Sequence, residues 1–307
     1  MVSDWRVAFQ GEAGAHSEEA VRSRFGEGEH LGLPSLSRVF TAVASGEVDA
    51  AVVPVENAYA GSVYETFDRM LEYSVLIRGE LYQPIHHALM VPSGTSRAEI
   101  RRVLSHPQAL AQCDHFLRSH SYEPVSFYDT AGAAREVARA HRPGEAALAA
   151  VRAAEIYGLE ILERDVEDAH DNTTRFWLIT RADAAAPDVA GLGTAPAAAT
   201  STTVDSPPDS LSAAAAEQPP YKTTLTFGTE NEPGALYRAL GCFARAGINL
   251  LKLESRPSHQ HPWEASFFAD CLGDPARPPL DTVLEELRGL TTQLRLLGVY
   301  PAARLTL

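Results

Sequence analysis

Short apolar runs separated by helix-length stretches organise the first 180 residues of the 307-residue chain. Val7, Ala8 and Phe9 read as a first strand, Gly11 and Gly14 follow, and a helix begins near Ser17, whose hydroxyl suits an N-cap. Residues 39–44 read as helix, 50–53 as a buried strand and 62–71 as helix. Strands over 83–91 and 102–104 precede a helix over 107–119, entered after Ser105-His106. Asp129-Thr130 opens an Ala-rich helix over 131–140. A strand at 146–150, a helix at 152–157 and a strand at 175–180 built on Phe176, Trp177, Leu178 and Ile179 complete the series. Strands alternating with helices predict an α/β layer fold with a largely parallel sheet.

From 181 to 220 the periodic apolar residues give way to Ala, Pro, Ser and Thr. Such a stretch buries too little apolar surface to offset chain entropy, so it reads as a flexible tether at a domain boundary. After it the order is strand 222–227, helix 234–246, strands 249–254 and 263–272, helix 280–290 and strand 293–299. This βαββαβ order suits a ferredoxin-like unit, with two helices over one face of a four-stranded antiparallel sheet. The expected division is 1–180, 181–220 and 221–307.

A hydrophobic content of 45% supports substantial cores. The longest apolar runs fall far short of the roughly 20 residues a membrane helix needs. The N-terminus lacks a basic, then apolar, leader pattern, so the expected location is the cytoplasm. A net charge of -14, with no dense Lys/Arg tract, argues against nucleic acid as a partner. Cys113, Cys242 and Cys271 are odd in number and lack CxxC spacing, which indicates neither a disulfide framework nor zinc. His86 and His87 are adjacent in a strand, point to opposite faces and cannot share one ion, so no metal is expected. Gly11 with Gly14 is no dinucleotide fingerprint, and no GxSxG elbow supports a triad around Ser105 and His106.

Residues 10–17, 54–62, 105–113, 129–133 and 172–176 place polar groups beside strand ends and helix starts, where open α/β sheets bind ligands and free N–H groups cradle anions. Each segment alone reads equally as a cap or loop, Ser17 and Asp129 above all as caps.

Taken together, Pro54-Val55-Glu56-Asn57 with Gly61-Ser62, Ser105-His106-Pro107-Gln108 with Gln112-Cys113, Asp129-Thr130-Ala131 and Thr174-Arg175-Phe176 resemble the prephenate dehydratases and the related arogenate dehydratases. Gly234-Ala235-Leu236 and Glu254-Ser255-Arg256-Pro257 resemble the phenylalanine-binding motifs of that family's C-terminal ACT domain. One departure is Ala58, where the family usually has Ser. The resemblance implies a two-lobed catalytic domain of the periplasmic-binding-protein type, its second lobe at about 81–172, with the site in the cleft. It implies conversion of prephenate to phenylpyruvate with loss of carbon dioxide and water. Aromatisation drives that reaction, so no cofactor is expected. By resemblance Thr174 is the proton donor and Arg175 the partner of a substrate carboxylate, while Asn57, Ser62, Ser105, Gln112, Thr130 and Phe176 line the substrate site. Phenylalanine as effector would meet Gly234, Ala235, Leu236, Asn249, Glu254, Ser255, Arg256 and Pro257 between paired ACT modules, in a homodimer or homotetramer. Two alternatives stand beside this reading. One is arogenate as the substrate, giving phenylalanine directly. The other is a non-catalytic amino-acid sensor, against which the Thr174-Arg175-Phe176 run argues.

Overall fold

A computed structural model describes residues 5–184, 220–257 and 265–303. The first lobe runs β1 (Val7–Gln10), α1 (His16–Phe25), β2 (His30–Leu33), α2 (Leu36–Ser45), β3 (Ala50–Asn57), β4 (Gly61–Ser62), α3 (Tyr64–Glu72) and β5 (Val75–Pro84). The chain then crosses into a second lobe of β6 (Ala88–Pro92), β7 (Arg102–Ser105), α4 (Pro107–Gln112), α5 (Asp114–Ser119), β8 (Glu123–Ser126), α6 (Thr130–Ala140), β9 (Glu145–Ala149), α7 (Val151–Tyr157) and β10 (Leu159–Glu163). It returns to the first lobe as β11 (Thr173–Arg181). The C-terminal unit is β12 (Tyr221–Gly228), α8 (Ala235–Arg245), β13 (Leu250–Pro257), β14 (Ala265–Leu272), α9 (Leu280–Leu290) and β15 (Gln293–Pro301), the βαββαβ order read from the sequence.

The sheets are mixed rather than largely parallel. The second lobe orders its strands β10-β6-β9-β7-β8, and a larger sheet runs β13-β14-β12-β15-β5-β11-β3-β1-β2 with β4 beside β3. β1 is parallel to β2 and β3, but the returning β11 is antiparallel to both β3 and β5. The C-terminal sheet joins that of the first lobe through a single pairing, Gly298 of β15 with Ile77 of β5. A Cβ at Gly298 would stand 2.4 Å from the Ile77 carbonyl oxygen, so only glycine permits this approach.

Local chemistry explains where the expected elements were misread. The strand expected at 83–91 breaks because Pro84 lacks an N–H, and the Ile85 N–H turns to the Asn172 carbonyl at 2.9 Å. The helix expected at 107–119 divides at Cys113, whose backbone (φ -118°) leaves the helical region. Ala15 rather than Ser17 precedes α1, and the Glu18 carboxylate accepts from the Gly14 N–H at 2.6 Å instead. Asp129 does cap α6, accepting from the Gly132 N–H at 2.8 Å. Most of the tether expected at 181–220 lies outside the described residues.

Two cores flank the first-lobe sheet. One, under α1, holds Val7, Phe9, Val52, Phe176 and Leu178. The other gathers Phe40, Phe67, Met70 and Trp177 with Phe268, Leu297 and Tyr300 of the C-terminal unit. Phe67 meets the rings of Trp177 and Phe268 edge-on at 5.4 and 5.0 Å. Burying each such side chain contributes about 1.5–3 kcal/mol, so the C-terminal unit seats firmly on the first lobe. All three cysteines are buried and unpaired. Among the described residues, no helix is long and apolar enough to cross a membrane.

Candidate active site

The chain crosses between lobes twice, before β6 and before β11, and polar side chains gather there from the end of β3, from α4 and from the approach to β11. Pro54 cannot donate to the ladder, and the β11–β3 register skips Val55, between the Arg175–Glu56 and Phe176–Pro54 pairs. Past the skip, Thr174 lies opposite Asn57. The Asn57 Oδ1 accepts from the backbone N–H groups of Tyr59 (3.1 Å) and Ala60 (2.9 Å), a turn that fixes which way the amide faces. Its Nδ2 must then be the donor, to the Asn172 Oδ1 at 2.7 Å and the Thr174 Oγ1 at 3.0 Å. The Thr174 oxygen is thus an acceptor in this contact, and its own hydrogen is left for another group.

Beside this trio is a cavity of about 390 Å³, lined among others by Tyr59, Gln108, Gln112, Glu167, Asp168 and Asn172. That volume suits a small molecule. Thr174 lies two hydrogen bonds behind the wall, reached from Asn172 through Asn57. The Asn172 Nδ2 is buried with no partner among the described residues. The Tyr59 hydroxyl donates to Asp171 at the rim.

Gln112 ends α4, and its Oε1 lies 3.0 Å from the Nε2 of His87. Burial, reinforced by the neighbouring His16, pushes the His87 pKa down to about 4, so the ring is neutral. A neutral ring donating from Nε2 turns the Gln112 NH₂ away from itself. Glu167 accepts from the His86 Nδ1 at 2.7 Å and from the His87 backbone N–H at 2.9 Å. Burial alone would raise the Glu167 carboxyl, but these two hydrogen bonds, together with its own backbone N–H and the nearby His86 ring, lower it on balance. As the sequence implied, His86 and His87 point apart, His86 exposed and His87 buried. The placement of His87 against Gln112 was missed. No local signal gave it: the break at Pro84 leaves both histidines outside a strand, and the partner of the buried ring lies 25 residues away in sequence.

The depressed His87 pKa makes a testable statement. The unfolded chain takes up its proton near pH 6.5, the folded chain only near pH 4, so between those values the unfolded state binds more protons. Stability is full above pH 6.5 and falls as the pH drops through about 4. In His87→Asn that acid-side loss shrinks, as urea midpoints measured from pH 7 to 4 report; an unaltered pH slope would refute the assignment.

Of the expected site residues, the structure brings Asn57, Thr174 and Gln112 to the cavity region and sends the others elsewhere. Arg175 points to the opposite face of β11 from Thr174, as alternation demands, and is taken up by Glu80 and Asp270 rather than facing the cavity. Phe176 is a core residue under α1. The Ser105 hydroxyl donates to the Leu148 carbonyl at 2.6 Å inside the second lobe. Ser62 faces the C-terminal unit, donating to Glu254 at 2.6 Å and accepting from the Lys252 ammonium at 2.9 Å. Thr130 opens α6 and does not line the cavity.

In the C-terminal unit, Gly234, Ala235 and Leu236 line a second cavity of about 370 Å³ with Asn231, Tyr237 and Phe267. Gly234 caps α8 at φ +81°, a conformation that favours glycine. Asn249, Ser255 and Pro257 are exposed and not part of that lining. Glu254 and Arg256 face the first lobe instead. Arg256 grips Asp68 with two 2.8 Å hydrogen bonds and lies over the Tyr64 ring. These two side chains tie the units together, because alternate positions of β13 face the catalytic lobe.

Residues 7–184 match the prephenate dehydratase family, and residues 223–289 match the ACT domain. An Arabidopsis thaliana protein described as a chloroplastic arogenate dehydratase/prephenate dehydratase is 35% identical over 305 residues, spanning 96% of this chain and 72% of its own. A Komagataeibacter europaeus protein described as a bifunctional N-acyl-homoserine lactone acylase/prephenate dehydratase is 36% identical over 297 residues, spanning 97% and 96%. The crystal structure of a prephenate dehydratase from Arthrobacter aurescens in complex with L-Phe superposes with a TM-score of 0.78 at 28% identity, over 96% of this chain and 89% of that one. With the two-lobed α/β fold and the C-terminal βαββαβ unit, these matches establish that the chain belongs to the prephenate dehydratase family and carries an ACT domain.

Proposed function

We propose that this enzyme converts prephenate to phenylpyruvate, with Thr174 delivering the proton and phenylalanine regulating the rate. The observation that carries the reading is the fixed Asn57 amide, whose N–H points at the Thr174 oxygen at 3.0 Å and leaves the hydroxyl proton to give. In the reaction the ring C–CO₂⁻ bond breaks and its electron pair enters the ring. The C–OH bond breaks at the opposite carbon, and the departing hydroxide takes a proton to leave as water. The Thr174 hydroxyl is a weak acid, so its proton moves late. The negative charge that builds on its oxygen is met by the Asn57 N–H, and solvent returns the proton. A positioned donor of this kind is worth about 10²–10⁴ in rate. With Arg175 committed elsewhere, the substrate carboxylates fall to amide donors at the wall. The unpartnered Asn172 NH₂ and the Gln112 NH₂ held by His87 supply them.

Arogenate carries an amino group where prephenate carries a keto group, and relatives of this chain are named for both activities. Initial rates on the two substrates, followed by release of phenylpyruvate or phenylalanine, are the direct test. Turnover of neither sinks the reading and leaves a sensor. For regulation, we place phenylalanine in the cavity at Gly234, with its carboxylate at the N-terminus of α8. Two such units would pair along the exposed β13 edge, where Leu251 and Leu253 are 47% and 43% exposed. Phenylalanine should raise the melting temperature, and Gly234→Val should abolish that rise; a rise that survives in Gly234→Val refutes the placement.

A further inference from the structure

A cluster at the seam between β11 and the ACT sheet takes no part in the chemistry above. The Arg175 Nε donates to Glu80 at 2.8 Å, its Nη1 lies 2.6 Å from Asp270, and its Nη2 donates to the Tyr300 hydroxyl at 3.3 Å. Glu80 also holds the Lys222 ammonium at 2.6 Å and accepts from the Ala303 N–H at 3.1 Å. Asp270 accepts from the Thr224 hydroxyl at 2.6 Å, and the Thr224 and Tyr300 hydroxyls are themselves 2.6 Å apart. Two cations balance two anions, and every member is buried, from Glu80 at 7% exposure to Tyr300 at 0%. Glu80 and Arg175 belong to the catalytic lobe; Lys222, Thr224, Asp270 and Tyr300 belong to the ACT unit.

The tip of β11 pairs in regular register with β5 from Thr173 to Leu178, but its other edge is held less evenly. Its ladder with β3 skips a residue between Arg175 and Phe176, so Thr173, Thr174 and Arg175 lie beyond the regular register that fixes the rest of the strand. The Arg175 side chain adds a tie that the backbone ladders do not supply. Two of its partners, Asp270 and Tyr300, come from an ACT sheet pressed against β5 at Gly298, two residues before Tyr300.

We infer that Asp270 and Tyr300 are positioning residues for the dehydration: through Arg175 they fix the tip of β11 and so aim the Thr174 hydroxyl, which makes the ACT unit a structural part of the active site. The inference rests on Thr174 as donor. Neighbouring residues of one strand share a peptide plane, so a shift of Arg175 carries Thr174 with it. Misplacing a reacting group by about 1 Å can cost 10²-fold in rate.

The test uses the full-length chain. Tyr300→Phe keeps the packed ring and removes only the hydroxyl; kcat should fall about tenfold with KM and melting temperature nearly unchanged. In a Thr174→Ala background the same substitution should do nothing further, because it acts through that hydroxyl. Amide exchange of residues 173–176 should speed up in Tyr300→Phe while α8 keeps its protection. Unchanged kcat and unchanged exchange would overturn the inference, as would an equal loss of residual rate in the Thr174→Ala background. Asp270→Asn, nearly isosteric, should act in the same direction and more strongly. If the wild-type chain consumes neither prephenate nor arogenate, the functional reading fails, and amide exchange alone still decides whether the anchor exists.

Discussion

Thr174→Ala lowers kcat by about 10²–10⁴, the range a positioned proton donor supplies, while the chain keeps its fold. The structure explains why the two effects separate. The hydroxyl occupies a single hydrogen bond, from Asn57, and that amide retains the Asn172 oxygen at 2.7 Å as an alternative acceptor. Loss of one such contact costs about 1 kcal/mol, too little to unfold a domain of this size. Thr174→Ser, which restores the hydroxyl on a freer side chain, should recover most of the rate. Steady-state kinetics beside a thermal melt give the answer, and an alanine variant with wild-type kcat eliminates Thr174 as donor.

Arg175→Met has the opposite signature, a large loss of stability. It removes a cation from between two carboxylates that are almost entirely out of water, Glu80 and Asp270. Lys222 can still neutralise Glu80, but Asp270 keeps only the hydroxyl of Thr224. Breaking a buried pair from one side costs about 3–5 kcal/mol. The exposed pair Arg118–Asp114, with side chains 79% and 51% exposed, sets the scale for comparison; such pairs contribute about 0–1 kcal/mol. Denaturant midpoints of Arg175→Met and Arg118→Met should therefore differ severalfold in their displacement from wild type. Equal displacement would mean the buried cluster contributes no more than a surface pair.

These two neighbours also mark how far the sequence could be read. The apolar run at Ala50 to Val55 and the Phe176-Trp177-Leu178-Ile179 stretch announced buried strands, and both are. The C-terminal order emerged whole, because its helices and strands are long and its apolar positions regular. β2 and β8 were invisible, since four residues give no period and these two, unlike the equally short β1 and β7, carry no buried apolar run. For the site, the sequence offered residue types without directions. Alternation says that Thr174 and Arg175 face opposite ways; it does not say which face looks into the cleft. Ser62 meets Glu254, and Arg175 meets Asp270, across 192 and 95 residues of sequence. Nothing local records such partnerships. Asn172 and His87 went unassigned because their importance lies in one unpartnered amide and one neutral ring, features of packing alone.

The fused sheet bears on how this protein can change. Regulatory modules are often treated as interchangeable attachments, yet here a substitute would have to bring glycine where Gly298 meets Ile77, an acid in place of Asp270, and hydroxyls in place of Thr224 and Tyr300. Gly298, Asp270 and Tyr300 contact the catalytic lobe and Thr224 supports the last two, while none of the four lines the cavity at Gly234. Ligand preference, if phenylalanine binds around Gly234 as proposed, is therefore free to drift, while the seam is bound to inherit its residues as a set.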